Sequence, residues 1–252
     1  MSTDTLNDHA SVDPEEAARY AALADKWWDR SGPFWPLHRL NELRVEYIRQ
    51  TLCDHFRRDG GAPDPLTGLR TLDIGCGGGI LSEAVARLGA QVHGVDVVER
   101  NIAIARHHAQ QAGLSIRYEM ITAEALTRRG DQYDVVFNME VVEHVADLAG
   151  FLQAGSQLVR PGGLMFIATI NRTLLAWLTA IVGAEYILRW LPRGTHQWRR
   201  FPTPEELERL LSQDRMRLIA QSGVRVNPIT RRMALTRFMG VNYMLVAEKA
   251  NT

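Results

Sequence analysis

The feature that most constrains this chain is an alternation that begins at Leu69. Short β-rich runs, Arg70–Ile74, Gln91–Asp96, Ser115–Met120, Tyr133–Asn138 and Leu164–Ile170, are separated by longer stretches of helical period. Ile80 to Leu88 carries Leu81, Val85 and Leu88 at helical spacing, and the alanine-rich stretch Val98 to Ala112 is closed by Gly113, a residue suited to a helix C-cap. Strands that alternate with helices must cross over, which predicts right-handed βαβ units and a mostly parallel α/β sheet with helices on both faces. Two late runs, Arg217 to Val226 and Tyr243 to Glu248, make seven strands in all. Ligands of such sheets bind at the carboxyl ends of the strands.

Around this core the 252 residues divide into four parts of one domain. Residues 1–60 form a helical leader, with helices over Glu15 to Trp28 and from about Leu40, separated by the turn-rich Ser31-Gly32-Pro33. Residues 61–170 are the core, 171–202 an apolar and then basic insertion after the fifth strand, and 203–252 the completion of the sheet. Thr203-Pro204-Glu205-Glu206 predicts a helix start with an N-cap Thr, Pro at N1 and a capping-box Glu. Trp27, Trp28 and Trp35 sit in the leader and Trp177, Trp190 and Trp198 in the insertion, so the aromatics either cap the sheet or serve binding.

Composition removes several function classes. Lys plus Arg and Asp plus Glu both number 29, without the basic excess of a general nucleic-acid binder. Cys53 and Cys76 supply no disulfide framework and suit a reducing cytoplasm. Met1 to Glu16 is polar and acidic, with no sign of a secretory signal or transit peptide. The longest uncharged stretch of the apolar region, Thr173 to Ala184, is shorter than the roughly 20 residues that span a bilayer, which leaves surface contact with a membrane open.

Leu72-Asp73-Ile74-Gly75-Cys76-Gly77-Gly78-Gly79-Ile80 leaves a strand and enters a helix, so backbone amides can approach a ligand unobstructed by Cβ atoms. A dinucleotide fingerprint would need glycine where Ile80 stands, and Asp73 would repel a phosphate while suiting a ligand with a positive centre. Asp96 ends the second strand, where an acid can accept from the ribose hydroxyls of a nucleoside. Thr122-Ala123-Glu124 follows the third strand and is placed to border an adenine ring.

These motifs, with Gly94-Val95-Asp96, Tyr133-Asp134-Val135-Val136 and Pro161-Gly162-Gly163, resemble the class I S-adenosylmethionine-dependent methyltransferases, a Rossmann-like fold. The segments outside the core are similar to the ubiquinone-biosynthesis O-methyltransferases: Lys26-Trp27-Trp28-Asp29, Pro36-Leu37-His38-Arg39-Leu40-Asn41, Met139-Glu140-Val141-Val142-Glu143-His144-Val145, Val182-Gly183-Ala184-Glu185-Tyr186, Pro192-Arg193-Gly194-Thr195-His196, Asn227-Pro228-Ile229-Thr230 and Val241-Asn242-Tyr243-Met244. The resemblance implies that Gly75, Gly77 and Asp73 border the methionine part of S-adenosylmethionine, Asp96 its ribose, and Ala123 and Glu124 its adenine edge. It further implies that Met139 lies against the cofactor, that Arg44 belongs to its site, and that the leader closes as a lid. The implied reaction is methylation of ring hydroxyls on polyprenylated catechols and hydroquinones, in two steps of ubiquinone assembly. The alternative is another lipid or a small aromatic acceptor.

Methyl transfer from a sulfonium is an in-line displacement, and a phenol of pKa near 10 is only about one part in a thousand ionised at neutral pH, so its proton needs help in leaving. If the stretch after the fourth strand is helical, Glu140, Glu143 and His144 share a face at i, i+3 and i+4. His144 would then be a general base oriented by a carboxylate, or all three would hold a divalent ion, Mg or Zn, that acidifies the phenol. A third reading has Glu143 and His144 only bracing the loop. His38 and His196 are further candidates for substrate contact.

A polyprenyl tail is insoluble at about 0.8 kcal/mol per buried methylene, so its enzyme must approach a bilayer. In 171–200, Leu174, Leu175, Trp177, Leu178, Ile181 and Val182 precede Arg189, Arg193, Arg199 and Arg200, the order expected of a surface-bound segment beside anionic headgroups. The expected location is cytoplasmic with peripheral membrane association. The expected partners are the prenylated phenol or quinol, the membrane surface and other enzymes of the pathway, with no nucleic acid.

Overall fold

The computed structural model describes residues 11–176, 200–227 and 230–251. In chain order the elements are α1 (Pro14–Leu23), α2 (Trp35–His55), β1 (Arg70–Ile74), α3 (Ile80–Ala86), β2 (Gln91–Asp96), α4 (Glu99–Gln111), β3 (Arg117–Met120), α5 (Ala123–Arg128), β4 (Tyr133–Met139), α6 (Leu148–Leu158) and β5 (Val159–Ile170). They continue with α7 (Pro204–Gln213), β6 (Met216–Val226), β7 (Met233–Thr236) and β8 (Asn242–Lys249), and Leu174–Ala176 is helical at the edge of the described region.

The strands form one sheet in the order β3-β2-β1-β4-β5-β8-β6-β7. β1 to β5 are parallel, as the alternation predicts, and β8 runs antiparallel between β5 and β6. The sheet has eight strands rather than seven: Met233–Thr236 pairs with Gly223–Val226 and adds an outer edge. Side chains alternate across the sheet, with Val136 on the face covered by α5, α6 and α7, and Val135 and Phe137 on the face covered by α2 and α3. Both faces are buried, the condition under which a parallel sheet is stable.

Local signals place several boundaries. Thr203 caps α7 with the full capping box, its hydroxyl accepting from the Glu206 amide while the Glu206 carboxylate accepts from the Thr203 amide. Gly113 takes φ +67 after α4. The leader differs in detail: its first helix stops at Leu23 and its second begins at Trp35.

Candidate functional site

The carboxyl ends of β1, β2 and β4 open into a cavity of about 190 Å³, roofed by the leader. Arg44, Asp73, Gly75, Gly77, Asp96, Ala123, Glu124, Met139, Glu140 and His144 all line it, so ten of the sequence-predicted residues meet in one place. Glu143 is buried behind them. From the leader, Glu16, Tyr20, Trp27 and Asn41 complete the wall.

The glycine loop adopts left-handed backbone at Gly75 (φ +68) and Gly77 (φ +54). A Cβ on Gly77 would stand 2.5 Å from the Trp27 ring, so the leader packs where only glycine leaves room. Trp28 donates from Nε1 to the Gly78 carbonyl at 2.9 Å, and Trp27 from Nε1 to Asn101 at 2.9 Å. His38 is buried and donates from Nε2 to the Trp27 carbonyl at 2.8 Å, so it holds this roof.

Asp96 knits the loop to the end of β2: its Oδ2 accepts from the Gly77 amide at 2.9 Å and its Oδ1 from the Val98 amide at 2.8 Å. Burial raises its pKa against those hydrogen bonds. Asp73 is buried, accepts from the Ser82 hydroxyl at 2.6 Å and is pushed up to about 7 by burial. Two orphaned buried atoms mark where a polar ligand fits. Arg44 Nε has no partner while the same guanidinium pairs with Glu140, and Glu124 Oε2 has none while Oε1 accepts from Ser11. A spare cationic donor suits the carboxylate of S-adenosylmethionine and a spare acceptor suits its adenine amine.

The stretch after β4 is not helical. Glu140 is left-handed at φ +58 with its amide bonded to the Ala168 carbonyl at 2.8 Å, a turn follows at Val142 and Glu143, and the next helix starts at Leu148 with Asp147 as N-cap. The shared helical face is therefore absent and the three side chains take separate partners. Glu140 pairs with Arg44, and Glu143 accepts from the Thr169 hydroxyl at 2.8 Å and comes within 4.0 Å of His144. Among the described residues, no group of three or more His, Cys, Asp or Glu side chains is arranged to hold a metal, so Glu140, Glu143 and His144 do not fit a divalent ion as they stand.

His144 instead engages the leader. Its Nδ1 lies 2.9 Å from Glu16 Oε2, and the Tyr20 hydroxyl lies 3.1 Å from its Nε2. Burial alone would lower the imidazole pKa, but the Glu16 hydrogen bond and the charges of Glu143 and Glu16 outweigh it and raise it. Burial would raise Glu16, yet the bond to His144 and the charges of His144 and Arg19 hold it below its ordinary range. Burial, reinforced by Glu143, pushes the Tyr20 phenol far up, so its hydroxyl keeps its proton and donates to Nε2 whenever the imidazole is neutral with its proton on Nδ1. Sequence reasoning missed Glu16 and Tyr20; their only signal is an acid and an aromatic at i, i+4 on an amphipathic leader helix.

The methyltransferase domain family matches residues 44–214. The ubiquinone biosynthesis O-methyltransferases of Sinorhizobium fredii and Brucella ovis are 52% and 53% identical to this chain over 239 residues, 95% of this chain and 96% of each relative. In fold, the magnesium protoporphyrin IX methyltransferase of Synechocystis PCC 6803 with bound SAH is similar at a TM-score of 0.58 and 18% identity over 84% of both chains. The same enzyme with bound SAM is similar at 0.57 and 14%, covering 92% of this chain and 97% of that one. Identity above one half across nearly the whole chain shows that it belongs to the ubiquinone biosynthesis O-methyltransferase family, S-adenosylmethionine-dependent enzymes of the class I fold.

Proposed function

We propose that the protein carries out both O-methylations of ubiquinone assembly, as a 3-demethylubiquinol 3-O-methyltransferase and a 2-polyprenyl-6-hydroxyphenol methylase. S-adenosylmethionine supplies an electrophilic methyl group on a sulfonium. Arg44 would hold its carboxylate, Asp96 its ribose and Glu124 its adenine amine, with Asp73, Gly75, Gly77, Ala123 and Met139 lining the same cavity. His144 removes the phenolic proton. Glu16 anchors Nδ1–H, which leaves the Nε2 lone pair as acceptor, and the Tyr20 hydroxyl occupies the position from which a substrate hydroxyl would donate. S-adenosylmethionine held there would give its methyl carbon to the ring oxygen and leave as the thioether, and the proton taken from the phenol rests on Nε2 of His144. Glu143, buried beside the imidazole, stabilises the resulting positive charge.

The observation that carries this reading is the Glu16–His144–Tyr20 arrangement in the wall of the same cavity as the glycine loop. Comparing kcat/KM for short-tailed prenyl catechols with that for catechol itself tests the acceptor class: preference for the prenylated compounds supports it, and equal efficiency favours a small aromatic acceptor. Access to a tailed substrate requires contact with a membrane surface through 171–200, of which 177–199, with Trp177, Arg189 and His196, lie outside the described residues. No helix among the described residues is long and apolar enough to cross a membrane.

A further inference from the structure

The first leader helix grips both nitrogens of one imidazole. Glu16 and Tyr20 stand one turn apart on α1 and meet His144 from that single face, the Glu16 carboxylate 2.9 Å from Nδ1 and the Tyr20 hydroxyl 3.1 Å from Nε2. The two contacts differ in kind. Glu16 brings a charge that orients the ring, whereas Tyr20 brings a phenol to the nitrogen that must receive the acceptor's own phenolic proton. The leader thus carries into the reaction cavity the same functional group that the acceptor presents.

The slot that holds the Tyr20 ring suits an aromatic ring. His144 meets it edge to face, with centroids 5.4 Å apart and planes at 84°, and Trp27 lies nearly parallel to it at 6.2 Å and 11°. Trp27 is a fixed wall: its ring stacks on Phe34 at 4.0 Å, its Nε1 donates to Asn101 at 2.9 Å, and it packs where Gly77 and Gly78 leave room. Tyr20 is held less firmly. It is half-buried, its ring lies farther from Trp27 than that of Phe34 does, and among the described residues its hydroxyl is bonded to His144. The ring can turn about its own side-chain torsions while Glu16, four residues earlier, keeps its hold on Nδ1, so vacating the slot needs no departure of the helix.

We propose that this slot is the subsite for the acceptor's phenolic ring and that Tyr20 is its placeholder, a built-in phenol that occupies Nε2 until the acceptor displaces it. The inference rests on the reading of His144 as proton acceptor, but its test needs no turnover. The probe is p-cresol, the tyrosine side chain as a free molecule, with toluene as the analogue that lacks the hydroxyl. Binding of each is measured by calorimetry to wild type, Y20A and Y20F, all saturated with S-adenosylhomocysteine so that no methyl can move. Y20A is expected to bind p-cresol more than about tenfold tighter than wild type, whose slot must first give up a ring of equal size. It is also expected to prefer p-cresol to toluene, whereas a plain apolar void would take the more apolar toluene. Y20F keeps the ring and loses its hydrogen bond, so p-cresol should displace it about 2- to 10-fold more readily than it displaces Tyr20; this arm decides the matter even where Y20A does not fold. Toluene bound by Y20A as tightly as p-cresol, or p-cresol bound by Y20F no better than by wild type, overturns the proposal. Tight p-cresol binding by the variants with no methyl transfer to a prenyl catechol in wild type would leave the phenol subsite standing and remove the reaction. Transfer that depends on His144, with p-cresol binding unchanged in both variants, would remove the placeholder alone.

Discussion

Replacing Glu16 with Gln removes the carboxylate that orients His144 and keeps the size of the side chain. The pair is 2.9 Å apart, with side chains 15% and 10% exposed, so its charge-assisted hydrogen bond is worth about 1.5–3 kcal/mol. His144 is raised from its ordinary 6.5 and Glu16 lowered from its ordinary 4.5. The histidine share of the stability is fully present below 6.5 and fades as pH rises through the raised value; the glutamate share is fully present above 4.5 and fades as pH falls through the lowered one. The variant should therefore lose most stability near pH 6, with a fall in Tm on the order of 5 °C for a domain of this size, and less at pH 9. In turnover, the acid limb of the kcat/KM profile should move to lower pH. The plateau of kcat should drop about 10- to 100-fold, because tenfold in rate corresponds to about 1.4 kcal/mol of lost orientation. An unmoved acid limb together with an unchanged plateau would refute the assignment of Glu16 to His144.

The His144→Asn variant should lose about 10²- to 10⁴-fold in kcat while its calorimetric affinity for S-adenosylmethionine stays at the wild-type value; a kcat within threefold would exclude a proton-removing role. Arg44→Met leaves Glu140 unpaired and removes the orphaned donor, so cofactor affinity should fall about 10- to 100-fold, and unaltered affinity would separate Arg44 from the cofactor. Gly77→Ala forces a Cβ into left-handed backbone and against Trp27. It should weaken cofactor binding, and Trp27→Ala in the same chain should recover part of the loss; additive effects in that double-mutant cycle would deny the contact.

How much of this was legible depends on the range of the interaction. The five parallel strands, the Gly113 cap and the Thr203 capping box are written in residues within a few positions of one another, and the structure places all of them, with the third strand starting at Arg117 rather than Ser115 and the fifth at Val159 rather than Leu164. The glycine loop and Asp96 were legible for the same reason. The stretch after β4 was misread because the spacing of Glu140, Glu143 and His144 fits a helix, while the left-handed turn at Glu140 is imposed from outside by the Ala168 carbonyl and the Arg44 side chain. A glutamate carries no local signal for positive φ. β7 escaped notice because four residues on a sheet edge show no clear alternation. Glu16 and Tyr20 reach His144 across 128 and 124 positions of chain, respectively, a contact that no local pattern encodes. His38, read as a possible substrate contact, is instead spent on the Trp27 carbonyl.

The most direct test of the reaction is the mass of the product formed when the purified protein is incubated with S-adenosylmethionine and a short-tailed prenyl catechol, with and without a chelator. One methyl gained on a ring oxygen, retained in chelator and lost in His144→Asn, is the predicted result, since the imidazole held by Glu16 removes the proton. Cofactor bound with no methyl transferred would contradict the O-methyltransferase account. Transfer abolished by chelator and restored by added metal would contradict the role given to His144.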